Sequence, residues 1–291
     1  MRMEGLKDRV GLGWRPALAA GILSNLDRID IVEVIADDFF DAPRHERRAL
    51  RTLSAQVPVA LHGVTLGLAS ASAVETTRVD KMARLCEEVG PVSWSEHLAF
   101  VRGGGVEIGH LAAPPRTAAT VEGALANLAR ARAVVGQAPQ VENVATLIDP
   151  PGSDRDEATW VSEIVRGSGS DLLLDLHNLY ANALNFGFDP ADFIARLPPE
   201  RIAAIHLAGG KWVGARGARR LLDDHLHDVP DPVYDLLAEA AERAPRALTV
   251  ILERDGDFPP IEHLLDELER ARASLAAGRA RAAAARGREA A

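Results

Sequence analysis

The segment Asp171-Leu-Leu-Leu-Asp175-Leu-His177-Asn178-Leu-Tyr180 contains the pattern from which the fold can be predicted. It includes a short apolar run, Leu172–Leu174, that is followed at once by Asp175, His177 and Asn178. A continuous apolar run of this kind is typical of a strand that is buried on both faces. Side chains of metal-binding type at the C-terminal end of such a strand indicate a functional site.

The same kind of run recurs along the chain, and eight segments are predicted to be strands. They are Val10–Trp14, Ile29–Ile35, Val57–His62, Val92–Phe100, Gln140–Val144, Leu172–His177, Ile202–Leu207 and Leu248–Arg254. Segments of helical composition lie between them, namely Pro16–Leu26, Arg44–Leu53, Ala73–Glu88, Ala118–Val135, Glu157–Arg166, Pro190–Arg196, Pro232–Ala244 and Ile261–Leu275. This alternation predicts an α/β fold, a closed (β/α)8 or TIM barrel. The alternative is an open doubly wound sheet, but that fold usually carries a glycine-rich phosphate turn after its first strand, and Gly13-Trp14-Arg15-Pro16 is not one.

Length and composition are consistent with one barrel. The chain has 291 residues, of which 47% are hydrophobic, and a single (β/α)8 domain takes about 250 residues. We therefore predict one domain over residues 1–272. The Ala/Arg-rich segment 273–291 is predicted to be a frayed or disordered tail. The glycine-rich segment Gly103–Thr117 is predicted to be a long loop or a small hairpin over the barrel mouth.

Charge and cysteine content exclude several function classes. The net charge of −9 argues against nucleic acid as the main ligand. Cys86 is the only cysteine, so the chain has no internal disulfide and no cysteine-based zinc site. It lies in a helix-like stretch and is predicted to be packed in the core. No apolar stretch has the length of a signal peptide or a membrane span, so we expect a cytoplasmic protein that does not contact a membrane.

Histidines and carboxylates are concentrated at the ends of the predicted strands, and in a barrel these ends converge on one face. A single histidine at such a place is usually a hydrogen-bonded structural residue, but the conjunction of so many predicts a metal site. Nitrogen and oxygen ligands without cysteine suit iron, manganese or zinc, and carboxylates can bridge two or more ions. The residues concerned are Glu33, His62, His97, Glu142, Asn143, Asp175, His177, Asn178, His206, Asp223, His225, His227 and Glu253. His45 and His263 are predicted to lie on the surface, and His110 is a possible lid residue.

At these residues the chain resembles a known family, the DUF692 (UPF0276) proteins. These are multinuclear non-haem iron enzymes on a TIM-barrel fold, and the methanobactin and 3-thiaglutamate biosynthesis oxygenases are among them. The resemblance covers about Val10 to Leu268. The matching motifs, in the order of the family, are Gly11-Leu-Gly-Trp-Arg-Pro16, Leu61-His-Gly-Val64, Ser95-Glu-His-Leu-Ala99, Glu142-Asn-Val144, Leu172-Leu-Leu-Asp-Leu-His-Asn178, Asn185-Phe-Gly-Phe-Asp-Pro190, Ile205-His-Leu-Ala-Gly209, Asp223-Asp-His-Leu-His-Asp-Val-Pro230 and Leu252-Glu253.

The resemblance implies a site with two or three iron ions in the Fe(II) and Fe(III) states. His62, His97 and Glu142 would serve one ion, and Glu142 could bridge. Asp175, His206 and Glu253 would serve a second ion, while Asn178, Asp223 and His225 stand where the family can hold a third. His177, His227, Glu33 and Asn143 would support the ligands or the substrate. The implied substrates are dioxygen and a cysteine-containing precursor peptide, which a small partner protein often presents.

The sequence departs from the family pattern beside these residues. Position 177 is commonly Asn in the family and is His here, and Gly210 stands where the family often has another His. After the strand-two glutamate, Ile35 and Asp37-Asp38-Phe39 replace the usual His and Glu-Asn-Tyr. These departures concern the choice of substrate more than the binding of metal.

Two other functions, and a barrel that binds no metal, remain open from the sequence. The first is a zinc- or manganese-dependent hydrolase or isomerase similar to xylose isomerase or endonuclease IV, which also gather His, Asp and Glu at strand ends. The second is a non-catalytic metal-binding protein. Metal identity and dependence on dioxygen would discriminate between these functions and an iron oxygenase.

Overall fold

Eight parallel strands close into a barrel, as predicted. The computed structural model describes residues 7–215 and 218–289. Around the barrel each strand pairs in parallel with its neighbours in chain order, and the last strand closes the barrel on the first. The barrel strands are β1 (Arg9–Gly13), β2 (Val32–Ile35), β3 (Val59–Gly63), β4 (Ser93–His97), β7 (Gln140–Glu142), β8 (Leu172–Asp175), β9 (Ile202–Leu207) and β12 (Thr249–Leu252).

Helices follow the strands and cover the outside of the barrel. Two of them have the bounds that the sequence predicts, Ala118–Val135 and Pro190–Arg196. The α-helices in the described residues are α1 (Ala19–Leu23), α2 (Arg44–Ser54), α3 (Thr76–Val89), α4 (Ala118–Val135), α5 (Glu157–Ser168), α6 (Leu176–Phe186), α7 (Pro190–Arg196), α8 (Asp231–Arg243) and α9 (Ile261–Glu289). Among these described helices, none is both long enough and apolar enough to cross a membrane.

The boundary after Leu174 differs from the prediction. The strand ends at Asp175, and the helix α6, which was not predicted, begins at the next residue. The Asp175 side chain caps this helix, because its Oδ1 accepts a hydrogen bond from the Asn178 backbone N–H at 2.6 Å. His177 therefore lies in the first turn of a helix and not in a strand.

Two antiparallel hairpins interrupt the alternation, each after the C-terminal end of a barrel strand. The first, β5 (Phe100–Gly103) and β6 (Val106–Ala112), occupies most of the segment predicted to be a loop or hairpin. The second, β10 (Gly210–Val213) and β11 (Arg220–Asp223), was not predicted. Each hairpin contributes residues to the cavity described below.

The C-terminal segment differs from the predicted frayed or disordered tail, because α9 continues as one helix to Glu289. Leu268, Leu275 and Ala282 are seven residues apart, lie on one face of this helix and are buried. The Arg279 side chain donates hydrogen bonds to the carbonyl oxygen of Ala241 at 2.8 Å and to Asp8 at 2.7 Å. The described part of segment 273–291 is thus packed helix. Residues 290–291 lie outside the described residues.

The barrel interior has an apolar layer below a polar one. Ile31, Ala60 and Ile251 form a small buried cluster of their own. Because alternate residues of a strand point to the same face, the residues two positions later along the same segments also point into the barrel, nearer its C-terminal end. They are Glu33, His62 and Glu253. The apolar layer therefore closes the barrel beneath the candidate site.

Candidate metal centre

Glu142 lies at the centre of a group of buried histidines. Its Oε2 is 3.4 Å from His62 Nε2 and 3.5 Å from His97 Nε2. Its Oε1 is 3.3 Å from His206 Nδ1. Glu142 ends β7, and the three histidines come from β3, β4 and β9, so closure of the barrel brings the four side chains together.

Two groups of ligand-type atoms share Glu142. In each group one atom from every residue lies within 4.8 Å of the others. The groups are His62, His97 and Glu142, and Glu142, Asp175, His206 and Glu253. A carboxylate that belongs to two such groups can bridge two ions.

Glu33, which was predicted to support the ligands or the substrate, is itself placed as a candidate ligand. Its Oε1 is 3.0 Å from His206 Nε2, and it forms a third group with His62 and His206. Since the other ring nitrogen of His206 faces Glu253 at 2.9 Å, His206 lies between two carboxylates.

Of the residues that the resemblance assigns to a third ion, Asp223 and His225 are in contact, and Asn178 lines the same cavity. Asp223 Oδ2 lies 2.8 Å from His225 Nε2, and His225 Nδ1 lies 3.8 Å from Glu253 Oε2. Asn178, Asp223 and His225 line one cavity together with His97 and Glu142. His177 reaches this set from α6, because its Nδ1 lies 2.6 Å from Asp223 Oδ1.

Several buried polar atoms of these residues have no hydrogen-bond partner among the described residues. Some approach a neighbour closely without the alignment of a hydrogen bond, as His206 Nδ1 does with Glu253. Unpaired donors and acceptors in a buried site are costly unless something else binds them. The atoms are Glu142 Oε2, Asp175 Oδ2, Asn178 Oδ1, His177 Nε2, His206 Nδ1, His225 Nδ1 and His225 Nε2. This donor set of nitrogen and oxygen atoms fits divalent transition metals such as iron.

The electrostatics of the site also favour bound cations. Burial raises the pKa of Asp175 well above its usual value, and the nearby charges of Asp223 and Glu142 raise it further. Burial opposes protonation of His97, but the charges of Glu142 and Glu96 outweigh it and raise the pKa of His97 to about 9. A metal ion would replace the protons that these groups otherwise hold.

Three further residues hold the candidate ligands in place and are not among the predicted site residues, although Glu96 and Asp255 also stand at the ends of predicted strands. Ser95 Oγ lies 2.8 Å from His62 Nδ1, which leaves Nε2 of that ring facing Glu142. Glu96 is fully buried, and its Oε1 accepts a hydrogen bond from the His97 backbone N–H at 2.9 Å. Asp255 Oδ2 lies 3.2 Å from His225 Nδ1. Ser95 could have been found, because it points to the same face of its strand as His97.

Asn143 supports Asp175 through the backbone. Its side chain accepts a hydrogen bond from the Asp175 N–H and donates one to the Asp175 carbonyl oxygen, both at 2.9 Å. These two bonds bridge the ends of β7 and β8, and they fix the point at which the strand turns into helix α6.

The two departures from the family pattern at positions 177 and 210 are neighbours in the structure. A Cβ atom on Gly210 would lie 2.2 Å from the Leu222 carbonyl oxygen and 2.6 Å from Cε1 of His177. The His177 ring therefore occupies space that a side chain at position 210 would need. A histidine at 177 and a glycine at 210 form one consistent arrangement.

The remaining histidines are placed as follows. His110 lines the cavity from β6. His227 is half-exposed, and its Nδ1 contacts Asp224 Oδ1 at 2.9 Å. His45 is largely exposed and His263 is half-exposed, so both lie on the surface, as predicted. Cys86 packs against the hydrophobic core, as predicted, and burial raises the pKa of its thiol to about 12.

The cavity above the cluster has a volume of about 520 Å³. Its floor includes His97 and Glu142, and its walls come from β6, from β11 and from the loop after β7. Leu111, Leu147 and Leu222 make much of the wall apolar. Reacting groups at its floor would be partly shielded from water.

Comparison with proteins of known structure confirms the TIM-barrel fold. An L-ribulose 3-epimerase structure superposes with a TM-score of 0.60 at 14% identity, covering 96% of this chain and 98% of that one. An endonuclease IV from Thermus thermophilus has a TM-score of 0.54 at 16% identity, and the superposition covers 92% of this chain and 98% of that one. At these identities the likeness shows the fold alone.

Comparison of sequences identifies the family. A UPF0276 protein of Streptomyces avermitilis is 38% identical over 273 residues, covering 91% of this chain, and the chain spans about half (54%) of that relative's length. A UPF0276 protein of Caulobacter vibrioides is 34% identical, and the match covers 94% of this chain and 96% of that relative. The family described as "RiPP precursor modification enzyme MbnB/TglH/ChrH" matches residues 9–276. The chain therefore belongs to the MbnB/TglH/ChrH family, and its relatives include proteins named UPF0276.

Proposed function

We propose that this protein is a multinuclear non-haem iron oxygenase or oxidase that modifies a cysteine of a ribosomally made precursor peptide. The observation that carries the proposal is the buried cluster around Glu142. Glu142 belongs to two groups of ligand-type atoms, and its Oε2 has no hydrogen-bond partner in the part of the chain that the structure describes. The family description, which refers to modification of precursor peptides, supports the class of substrate.

His62, His97 and Glu142 would hold one iron, and Asp175, His206 and Glu253 would hold a second. The Glu142 carboxylate would be available to both. Asn178, Asp223 and His225 would hold a third. When bound, iron supplies the redox chemistry with dioxygen and a position for the substrate sulfur. The absence of cysteine among the candidate ligands is consistent with iron or manganese, and leaves zinc as an alternative.

The side chains around the cluster would orient the ligands and hold protons. Ser95 holds one nitrogen of His62, so that the other faces the centre. Asn143 holds Asp175 through its backbone. Asp255 lies beside His225 and forms an ion pair with Arg15, which links this part of the site to the loop after β1. Such outer contacts keep ligand geometry within the tolerance that metal chemistry requires.

The cavity suits a thiol on a polypeptide. It is open at the barrel mouth and has an apolar wall, so one residue of an extended peptide can enter while the rest of the peptide lies outside. A small partner protein that presents the peptide, and dioxygen as the co-substrate, belong to this proposal by resemblance to the family.

The first experiment is metal analysis of protein purified without oxygen, with Mössbauer spectra to count the irons and assign their oxidation states. We expect two or three irons per chain. The variant Glu142→Gln should lose most of this iron, whereas Glu200→Gln, at an exposed position, should retain it. Stoichiometric zinc or manganese after iron-replete expression would instead favour the hydrolase or isomerase class.

The second experiment measures oxygen consumption by iron-loaded protein supplied with the precursor peptide and partner protein encoded beside it. We expect one oxygen-dependent mass change on the peptide that requires its cysteine. Iron-loaded protein that consumes no oxygen with both present would refute the oxygenase proposal.

A further inference from the structure

Two large apolar side chains are exposed to solvent at the edge of the cavity. Ile148 is 72% exposed, the highest value among the large hydrophobic residues in the described part of the chain, and its neighbour Leu147 is 42% exposed. Both line the cavity above the candidate metal ligands. Adjacent exposed apolar side chains at a cavity edge are characteristic of a binding surface.

This pair does not sit on a loose loop. The Thr146 backbone N–H donates to Asn182 Oδ1 at 2.9 Å, and the Thr146 hydroxyl donates to the Ile148 carbonyl oxygen at 2.8 Å. On the other side, Arg116 donates to Asp149 at 2.9 Å. Hydrogen bonds therefore fix Thr146 and Asp149 on the two sides of the pair, while the two apolar side chains point to solvent. Such a surface is organised before its ligand arrives.

The position of the pair indicates what covers it. The same cavity wall continues through Leu111 and Leu222 down to His97 and Glu142 on the floor. Cavities that enclose small molecules measure about 300–1,000 Å³, so a cavity of about 520 Å³ admits a short stretch of peptide. A residue next to the one that reaches the floor would therefore lie against the edge.

We propose that Leu147 and Ile148 form a specificity subsite that binds an apolar side chain adjacent to the reacting cysteine of the precursor peptide. The proposal rests on the proposed function for the identity of the peptide, but the subsite itself is defined by the two exposed side chains and their anchored loop. It selects peptides with Leu, Ile, Val or Phe beside the cysteine over peptides with Gly or charged residues there.

The test uses four fluorescently labelled peptides of equal length, with the cores Leu-Cys-Leu, Gly-Cys-Gly, Leu-Ser-Leu and Gly-Ser-Gly. Their binding to the iron-loaded protein is measured by fluorescence anisotropy without oxygen. We expect the Leu peptides to bind about tenfold more tightly than the Gly peptides, in both the Cys and the Ser series, because an apolar side chain is removed from water. The double variant Leu147→Ser/Ile148→Ser should lose this preference.

The matched control is Leu184→Ser, because Leu184 is 45% exposed on α6 and is not part of the cavity lining. It should keep the preference, and all variants should keep the iron content of the unaltered protein. Equal binding of Leu and Gly peptides to the unaltered protein would overturn the subsite and indicate that the pair contacts another protein chain.

The four peptides separate this inference from the proposed function. Tighter binding of Cys than Ser peptides, without a preference for Leu over Gly, would support a thiol site and refute the subsite. A preference for Leu over Gly, without a difference between Cys and Ser, would support the subsite and count against thiol binding at the metal.

Discussion

Replacement of Asn143 by alanine tests whether the candidate ligand Asp175 depends on its neighbour. The Asn143 side chain is buried and makes two hydrogen bonds of 2.9 Å to the Asp175 backbone. Asn143→Ala would leave the Asp175 N–H and carbonyl oxygen without these partners in the barrel interior. The variant should therefore affect both the stability of the fold and the position of Asp175.

The magnitude follows from the two lost bonds. A buried donor or acceptor left without a partner costs about 1–3 kcal/mol, so Asn143→Ala should reduce the free energy of unfolding by about 2–6 kcal/mol. Loss of an outer contact to a metal ligand typically reduces metal affinity about 10- to 100-fold. We expect both effects together in this variant.

The assay is urea unfolding of the metal-free protein, combined with competition against a chelator to measure metal affinity. Asn127→Ala is the matched control, because Asn127 is also buried and its side chain holds the loop around Ser70 through hydrogen bonds to Leu68, Ser70, Ser72 and Val74. The control should lose similar stability and keep its metal affinity. A loss of less than about 1 kcal/mol in Asn143→Ala, or equal metal affinity in the two variants, would refute the reasoning.

Three further predictions concern packing, thiol chemistry and metal removal. Gly210→Ala should lower the free energy of unfolding by about 1–3 kcal/mol in urea titrations, because its Cβ would collide with Leu222 and His177. Gly103→Ala is the control, because the added atom has open space around it, and it should leave the free energy of unfolding nearly unchanged. Equal losses of stability in the two variants would contradict the packing. Cys86 should react with N-ethylmaleimide at pH 8 about 10- to 100-fold more slowly than a peptide cysteine, because burial raises its pKa to about 12; rapid labelling of the folded protein would argue against this burial. Chelation of bound metal should lower the melting temperature in thermal scans, since a ligand present at 100 times its Kd contributes about 2.7 kcal/mol; an unchanged melting temperature would count against a metal in the cluster.

Prediction from the sequence was most successful where the signal is local. The predicted strand Ile202–Leu207 has the observed bounds, and the predicted strand Leu248–Arg254 contains the observed Thr249–Leu252. The Ala- and Leu-rich segment Ala118–Val135 identifies a helix, because side-chain periodicity follows from backbone geometry. It failed where two signals overlap. The turn at Asp175 follows a strand without a break, so a pattern of apolar residues could not show that helix α6 begins there.

The C-terminal segment shows a second limit. Composition alone made residues 273–291 look like a solvated tail, since alanine and arginine carry little apolar surface. The contacts that order its described part are tertiary, as in the bonds from Arg279 to Asp8 and to the end of α8. Glu33 and His206 are 173 residues apart and meet only because the barrel closes.

The sequence by itself determined the barrel and the face on which its site lies, because strand and helix periods are local properties and parallel strands bring their C-terminal ends together. Only the tertiary structure decided which atoms meet. Strand register places the Glu142 carboxylate between three histidines, packing sets the His177 ring beside Gly210, and loop hydrogen bonds hold Leu147 and Ile148 open at the cavity edge. The sequence could not show these contacts, because they join residues that are distant along the chain and their geometry depends on closure of the whole barrel.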